Sequence, residues 1–315
     1  MTDLAVPTPV LVTGATGMLG RNLLGSLRHL PTGAVLAPTR QDLDLCDADA
    51  VSRYWDRHRP QTVLHLAGFV RGILGNLRAG PRSLLLNARI QTNLLQAACD
   101  APPQVAVVAG TVAAYGYPYV RLPLVEDDFW TGRPHEAEGF YAAGKRVAIP
   151  YLEALAQLGS GTRFAVLTNL FGPHDHFGEA GAHVVPSLIA RFVDAAKAGA
   201  DVVTVWGRPQ TTRDFLHAAD AAGFLLDLAV DAQLTRGFAT VNVASGCETT
   251  MAELSALVAQ ASRFGGCVTW DADAPVGIPE RSIDVARLRA LSRRRPRPLA
   301  DAVQTTVDWY VAHHR

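Results

Sequence analysis

The chain of 315 residues contains few cysteines, no excess of either charge and no long apolar stretch. Its four cysteines are scattered, with neither a C-x-x-C motif nor metal-like spacing, so we expect free thiols, no disulfide framework and no bound metal. A formal net charge of zero gives no electrostatic reason to expect nucleic acid or an anionic membrane as a partner. Because about 18 consecutive apolar residues occur nowhere, we expect no membrane span.

Three other features of the sequence narrow the class of protein further. The N-terminal segment MTDLAVPTPV lacks the basic and apolar regions of a signal peptide, which favours a cytoplasmic protein. The one dense basic run, SRRRPRP at 292–298, is typical of a solvated loop. With 49% hydrophobic and 18% charged residues, the composition indicates an ordinary soluble enzyme.

Short β-branched runs alternate with helical patterns in the first half of the chain. The runs that predict strands are 10–15, 34–39, 62–68 and 104–111, and the patterns that predict helices are 18–30, 50–60 and 83–100. Because strands that alternate with helices form parallel sheets covered on both faces, we predict an α/β fold with a Rossmann-type doubly wound parallel sheet.

The second half of the chain is less regular. The patterns predict helices at 183–199, 249–265 and 300–314, strands at 202–207 and 240–245, a strand that runs into a loop at 163–175, and a loop that becomes a helix at 215–230. We therefore expect a smaller α/β substrate lobe made of 167–216 and 243–297. The cofactor-binding domain then comprises 1–166, 217–242 and 298–315, with the substrate in the cleft between.

The segment TGATGMLG, Thr13–Gly20, joins the first strand directly to a helix. Gly14 permits a tight turn, Gly17 lets the backbone approach a pyrophosphate, and Gly20 allows helix and strand to pack closely. The helix N-terminus then offers unpaired N–H groups to the phosphates. We predict a dinucleotide site here, which the side chains between the glycines also line: Thr16, Met18 and Leu19.

The end of the second strand, APTRQ, indicates which dinucleotide is bound. An NAD site requires a carboxylate at this point to bind the ribose hydroxyls. Arg40 is instead a cation suited to a 2′-phosphate, and Asp42 follows two residues later. We predict NADP(H), although an exposed arginine here can also be incidental.

A hydroxyl and a Tyr-x-x-x-Lys pair supply the parts of a carbonyl reductase. Tyr141 and Lys145 stand one helical turn apart and face the same side, so the ammonium is expected to lower the pKa of the phenol. The phenol would act as general acid, and Thr111 would donate a second hydrogen bond to the carbonyl oxygen.

These motifs together resemble the extended short-chain dehydrogenase/reductase family: the glycine segment, HLAG at His65–Gly68, Thr111 and the Tyr141/Lys145 pair. Later motifs are more specific and are similar to the GDP-L-fucose synthase group of that family. They are TNLFGPHDHF (168–177), HVVPSLIARF (183–192), VWG (205–207), TRDFLHAAD (212–220) and IPERSIDVARL (278–288). The resemblance covers nearly the whole chain.

The resemblance implies a two-part reaction on a GDP-linked 4-keto-6-deoxy sugar. The family inverts C3 and C5 through enolates and then reduces C4 with NADPH, and it places His183 in the epimerising acid/base pair. The other member of that pair, a cysteine, corresponds to Ala113. Because a methyl group cannot move a proton, we predict that full C3/C5 epimerisation is lost or impaired while the 4-ketoreductase is kept.

The proton chemistry at Ala113 leaves alternatives open. His183 could support a single inversion, or could act only as a hydrogen-bond donor to the substrate. A neighbour could also replace the cysteine, and the candidates are Tyr117, His174 and His176.

Further binding residues are implied by the resemblance. On the cofactor side, beside Lys145, they are Arg40, Leu66, Ala67, Gly68, Asn169 and Leu170. On the substrate side they are His183, Val184, Arg191, Trp206, Arg213 and Arg281. Any of these arginines could instead form a surface ion pair, and His217 is more typical of a structural histidine. The family uses the helix that begins near Tyr141 to form a homodimer, and Pro150 is expected to kink that helix.

Two other functions use similar parts. A nucleotide-sugar 4-epimerase or dehydratase has the same fold, but dehydratases of the superfamily usually add an Asp and a Glu beside the hydroxyl, and TVAA at 111–114 has neither. A protein that only senses NADP has no need of Tyr141 and Lys145. We therefore favour the reductase, with a bifunctional or single-carbon epimerase/reductase as the alternative.

Overall fold

Residues 6–70, 75, 78–178, 182–271 and 277–314 are described by the computed structural model. The strands are β1 (Val10–Thr13), β2 (Val35–Leu36), β3 (Thr62–His65), β4 (Val105–Ala109), β5 (Gly161–Leu167), β6 (Asn169–Phe171), β7 (Val202–Trp206), β8 (Thr212–His217), β9 (Gly237–Val243), β10 (Glu248–Thr250) and β11 (Cys267–Asp271). The α-helices are α1 (Met18–Ser26), α2 (Ala48–His58), α3 (Pro81–Asp100), α4 (Gly139–Arg146), α5 (Ala148–Gln157), α6 (Val184–Ala198), α7 (Ala218–Thr235), α8 (Met251–Ala261), α9 (Ala286–Leu291) and α10 (Leu299–His313).

A six-stranded parallel sheet forms the first lobe, in the order β2-β1-β3-β4-β5-β9. Strands β1, β3, β4 and β5 are buried along their whole length, because helices cover both faces of the sheet. The carboxyl ends of β1, β3 and β4 therefore meet at one edge, with the residues that follow them. The predicted Rossmann-type fold is confirmed.

The second lobe is built on two small sheets. One has the order β10-β8-β6 and the other pairs β11 with β7 in parallel. Helices α6 and α8 contribute Ile189, Phe192 and Leu254 to a second hydrophobic core, separate from that under the large sheet. Thr250 caps α8 through a capping box with Glu253.

The observed elements differ from the sequence predictions in several places. Helix α1 ends at Ser26, short of the expected residue 30. Residues 212–217 form a strand, although a loop was expected at the start of 215–230. The expected division places 298–315 with the cofactor-binding domain, whereas Val303, Val307 and Tyr310 of α10 are buried in the core of the second lobe.

The helix that carries Tyr141 is interrupted where a kink was expected. Helix α4 ends at Arg146 and α5 begins at Ala148, with Val147 between them. Pro150 lies in the first turn of α5 and has no N–H to donate to a carbonyl of the preceding turn.

The basic run at 292–298 is a loop, but two of its arginines are paired with a helix. Arg294 Nε lies 3.1 Å from Asp227 Oδ1, and Arg297 Nη2 lies 2.9 Å from Asp220 Oδ1, both on α7. The prediction of a simply solvated loop was therefore wrong in part.

None of the helices within the described residues has the length and apolar character that a membrane span requires.

Candidate active site

The glycine segment makes a turn that only glycine fits. Gly14 has φ of +70°, and a Cβ there would lie 2.8 Å from the backbone nitrogen of Ala67. A Cβ on Gly20 would overlap the carbonyl oxygen of Gly14. Gly17 caps α1 without a side-chain hydrogen bond, so no capping side chain occupies the first N–H groups of α1. These features fit the pyrophosphate of a dinucleotide, as predicted.

A buried hydrogen bond joins the ends of β1 and β3 beside this turn. Thr13 Oγ1 and His65 Nδ1 are 2.6 Å apart. Burial, followed by the charge of Lys145, lowers the pKa of His65 to about 3, so the ring is neutral at physiological pH. His65 therefore fixes the strand ends and takes no part as an acid.

Asn87, which the sequence reading missed, holds the segment after β3. Its Nδ2 donates to Phe69 O and Ser83 O, both at 2.9 Å, and its Oδ1 accepts from Phe69 N at 2.9 Å. A Cβ on Gly68 would lie 2.8 Å from Lys145 Nζ and 3.1 Å from Asn87 Oδ1. This segment therefore packs directly against Lys145.

Thr111 follows β4 and is oriented by its own backbone. Its Oγ1 accepts from Ala113 N at 3.2 Å and so caps the 3₁₀ helix Val112–Ala114. Because the oxygen accepts this bond, the hydroxyl proton can be donated to Tyr141 or to a carbonyl oxygen in the cavity. Ala113 is buried and lines the same cavity, where it presents only a methyl group.

Lys145 is buried and its ammonium is held by backbone carbonyls. Nζ donates to Ala109 O at 3.1 Å and to Ala67 O at 3.3 Å, which joins α4 to the ends of β3 and β4. Burial lowers the pKa of Lys145 to about 8. The side chain is therefore mostly charged at pH 7 and close to its titration.

Tyr141 lies on the same face of α4 and forms a hydrogen bond with Thr111. Burial raises the pKa of Tyr141 to about 12, and this outweighs the hydrogen bond to Thr111, which lowers it. The sequence predicted a lowered pKa for this phenol, and that prediction was wrong because burial outweighs the effects that favour the phenolate. A phenol that keeps its proton is suited to give it to a carbonyl oxygen.

One cavity of about 1310 Å³ runs from the glycine turn to the second lobe. It brings together every predicted site residue: Gly14, Thr16, Gly17, Met18, Leu19, Gly20, Arg40, Leu66, Ala67, Gly68, Thr111, Tyr141, Lys145, Asn169, Leu170, His183, Val184, Arg191, Trp206, Arg213 and Arg281. Among the described residues, no group of His, Cys, Asp and Glu is arranged to hold a metal ion.

Arg40 lies at the outer end of the cofactor side. Its side chain is 82% exposed and forms a 3.6 Å ion pair with Asp44, so the guanidinium is accessible to a phosphate. Asp42 instead accepts hydrogen bonds from Thr39 N and Thr39 Oγ1, at 2.9 and 2.7 Å. The carboxylate nearest Arg40 in sequence is therefore occupied by its own turn.

The second lobe presents two arginines to the other end of the cavity. The guanidinium of Arg191 lies 5.1 Å from the ring centre of Trp206, whose side chain is exposed. Arg213 is held by a hydrogen bond to Thr212 O at 2.7 Å, and burial lowers its pKa to about 10. Asp214 fixes β8 by accepting from Ser245 N at 3.0 Å and Gly246 N at 2.7 Å. These cations suit a nucleotide diphosphate.

Arg281 also lines the cavity, but its charge is already paired. Its Nη2 lies 2.6 Å from Glu138 Oε2, and its Nε donates to Tyr119 Oη at 2.7 Å. Glu138 was not singled out from the sequence. It stands three residues before Tyr141, and its partner lies 143 positions away.

His183 and its neighbours form the remaining wall. His183 precedes α6 and lines the cavity together with His176 and Asp175. Burial raises the pKa of Asp175, and the charge of His183 is the largest effect that opposes this. His174 instead packs on Trp309 with ring centres 4.8 Å apart, and Tyr117 packs on His135 at 4.9 Å. Of the three proposed substitutes for the cysteine, His176 is the one that lines the cavity.

His217 has a structural position. Its Nδ1 accepts from Ala219 N at 3.2 Å and so caps α7. Burial lowers the pKa of His217 to about 4, which keeps the ring neutral. This arrangement agrees with the expectation of a structural histidine.

A dinucleotide turn that shares one cavity with a Thr–Tyr–Lys set defines a nicotinamide-dependent oxidoreductase. The chain belongs to the NAD dependent epimerase/dehydratase family, whose model matches residues 10–244. It is 32% identical over 309 residues to a probable GDP-L-fucose synthase 1 of Oryza sativa subsp. japonica, with 96% of this chain and 92% of the relative covered. It is 29% identical to the GDP-L-fucose synthase of Escherichia coli (strain K12), with 96% of each chain covered.

Solved structures agree on the fold. A GDP-L-fucose synthetase from Naegleria fowleri superposes with a TM-score of 0.85 at 24% identity, over 97% of this chain and 94% of that one. The family model and the relative of 32% identity confirm the resemblance predicted from the motifs.

Proposed function

We propose that this protein is an NADPH-dependent 4-ketoreductase of a GDP-linked 4-keto-6-deoxy sugar in which full C3/C5 epimerisation is lost or impaired. The observation that carries this proposal is the cavity itself. Thr111, Tyr141 and Lys145 stand at its centre, the glycine turn at one end and Arg213 at the other, while Ala113 offers only a methyl group. The GDP-L-fucose synthases to which the chain is similar supply the substrate class.

The cofactor is NADP(H), which supplies a hydride when bound. The residues that would hold it are the glycine turn for the pyrophosphate, Arg40 for the 2′-phosphate, and Gly68 and Lys145 near the reacting end. The exposed Arg40 favours the phosphorylated dinucleotide, since a guanidinium pairs well with a phosphate.

The chain's own residues perform the proton chemistry of the reduction. The hydroxyls of Thr111 and Tyr141 donate to the ketone oxygen, which draws electron density from the carbon. As the oxygen becomes an alkoxide, the proton of Tyr141 moves to it and leaves a phenolate. Lys145, one helical turn away, is a buried cation that stabilises this negative charge.

Epimerisation requires more than this set provides. A base must take a proton from one face of a carbon, and an acid must return one to the opposite face. With Ala113 in the wall, His183 alone can remove a proton and return it to the same face, which exchanges hydrogen without inversion. Inversion at a single carbon needs a second proton donor. Of the three candidate substitutes for the cysteine, His176 is the one that lines the cavity.

A reaction in heavy water tests the proposal. Purified protein, NADPH and GDP-4-keto-6-deoxy-mannose are combined, and NMR gives the product's configuration and its deuterium content at C3 and C5. We expect NADPH oxidation with inversion of at most one carbon. The Ala113→Cys variant should invert a carbon whose configuration the wild type retains.

Two results would contradict the proposal. A fucose product with deuterium at both carbons would show that epimerisation is intact in the wild type. If the protein oxidises NADPH with neither this nor any other 4-keto sugar nucleotide, the proposed reductase activity is refuted. Tyr141→Phe, which lacks the proposed proton donor, is the control. Its kcat should fall at least about a hundredfold, and its affinity for NADPH should be unchanged.

A further inference from the structure

A buried ion pair joins the start of the catalytic helix to the second lobe. Arg281 Nη2 lies 2.6 Å from Glu138 Oε2, and the two side chains are 5% and 16% exposed. Arg281 Nη1 donates to Glu138 Oε1 at 3.5 Å, and Arg281 Nε donates to Tyr119 Oη at 2.7 Å. We call this pair the Glu138–Arg281 bridge. It lies on the cavity wall next to Tyr141.

The segment that carries Arg281 is fixed on both sides. Thr212 N of β8 donates to Pro279 O at 3.0 Å. Leu124 N donates to Ser282 O at 2.9 Å, and Asp284 N donates to Leu124 O at 3.0 Å. Arg281 therefore extends from a backbone that is tied to the substrate lobe and to the loop around Leu124.

The two ends of α4 are anchored differently. At its C-terminal end, Lys145 binds Ala67 O and Ala109 O, and Arg146 Nε donates to Ala114 O at 2.8 Å. At its N-terminal end, Glu138 precedes Gly139 and makes no side-chain cap, so its carboxylate is directed to Arg281 instead. The bridge thus ties the first turn of α4, which carries Tyr141, to the segment that carries Arg281.

We propose that Glu138 and Arg281 are positioning residues whose bridge fixes the hydroxyl of Tyr141 relative to a sugar held by the second lobe. This inference rests on the proposed function, because it takes Tyr141 as the proton donor. Since Glu138 compensates its charge, Arg281 acts on the reaction through α4. Recognition of the diphosphate then falls to Arg213 and Arg191, which donate to the carbonyl groups of Thr212 and Thr204.

A double-mutant cycle tests the bridge. Glu138→Gln and Arg281→Gln should each lower kcat by about tenfold to a hundredfold, with less than about a threefold change in KM for the sugar nucleotide. The double variant should be no slower than the slower single variant, because both remove the same contact. Arg281→Lys keeps the ion pair and should recover most of kcat.

The control is a second buried ion pair far from the cavity. Arg163 Nη2 lies 2.6 Å from Asp231 Oδ2, and the two side chains are 4% and 12% exposed. This ion pair joins β5 to α7. Asp231→Asn should lower the melting temperature about as much as Glu138→Gln does, because each leaves a buried arginine unpaired. Its kcat should stay within about twofold of the wild type.

A readout without turnover separates this inference from the proposed function. Amide hydrogen exchange of residues 139–146, measured with NADPH bound, should be faster in Glu138→Gln and Arg281→Gln and unchanged in Asp231→Asn. Unchanged exchange in the two bridge variants would overturn the inference, as would an Arg281→Gln variant with raised KM and normal kcat. If the wild type reduces no 4-keto sugar nucleotide, the proposed function fails, and the exchange measurement still decides whether the bridge holds α4.

Discussion

Burial controls the chemistry of the two central residues of the site in opposite ways. It raises the pKa of Tyr141 to about 12 and lowers the pKa of Lys145 to about 8. The phenol therefore keeps its proton across the physiological range, while the ammonium loses its proton just above that range. A change in pH between 7 and 10 thus acts on the lysine and leaves the protonation of the tyrosine unchanged.

This difference predicts the pH dependence of the reduction. Because Lys145 is charged below its pKa and neutral above it, kcat should fall as pH rises through about 8 and should be about tenfold lower at pH 9 than at pH 7. The measurement is kcat at saturating NADPH between pH 6 and 10, with NADPH affinity determined at each pH as the control. A rate that stays constant to pH 9.5 would show that the charge of Lys145 does not support proton transfer.

At the scale of elements, helix α3 carries a polar stripe that faces the catalytic segment. Ser83, Asn87 and Gln91 are spaced four apart and are fully buried, while leucines occupy other buried positions of the helix. The spacing was visible in the sequence as polar residues within an otherwise amphipathic pattern. The role of these residues could not be predicted from the sequence, because the partner of Asn87 is the backbone of Phe69, and only the folded chain brings the two together.

Removal of the Asn87 side chain should loosen the segment after β3. In Asn87→Ala, Phe69 loses the hydrogen bonds to this amide, which should cost about 2–4 kcal/mol of stability and raise the Kd for NADPH roughly tenfold. Thermal unfolding and fluorescence titration with NADPH measure both effects. Gln96→Ala, on the exposed side of the same helix, serves as the control and should change neither. Equal NADPH affinity in the two variants would argue against this role of Asn87.

At the scale of the whole molecule, the sequence predicted what is set by local pattern. The buried parallel strands read as apolar β-branched runs, and the glycine segment and the Tyr141/Lys145 pair have fixed local spacing, so both were found. Strand β8 was missed because TRDFLH is mixed in polarity and is stabilised by pairing with β10 and β6. The Glu138–Arg281 bridge and the pKa of Tyr141 were missed because each depends on residues or burial that only tertiary structure supplies.

The oligomeric state and the location of the protein stay predictions. The sequence favours a cytoplasmic homodimer formed through the helix that begins near Tyr141. Helices α3 and α4 pack side by side, and each turns a large apolar side chain outward: Leu85 is 49% exposed and Phe140 is 47% exposed. A two-fold axis across these helices would cover both residues with their counterparts in a second copy.

Light scattering after gel filtration tests this dimer. The wild type should elute with twice the 33.7 kDa mass of the chain, and Leu85→Asp should shift it toward the single-chain mass, because a carboxylate cannot be buried in an apolar contact without a partner. Leu234→Asp is the matched control, since Leu234 is 76% exposed at the end of α7, away from these helices. A wild type that stays at the single-chain mass up to about 100 µM, or an equal shift in the two variants, would rule out this interface. In the expected case the Leu85→Asp monomer should still bind NADPH, because the glycine turn, Lys145 and Arg40 all come from one chain.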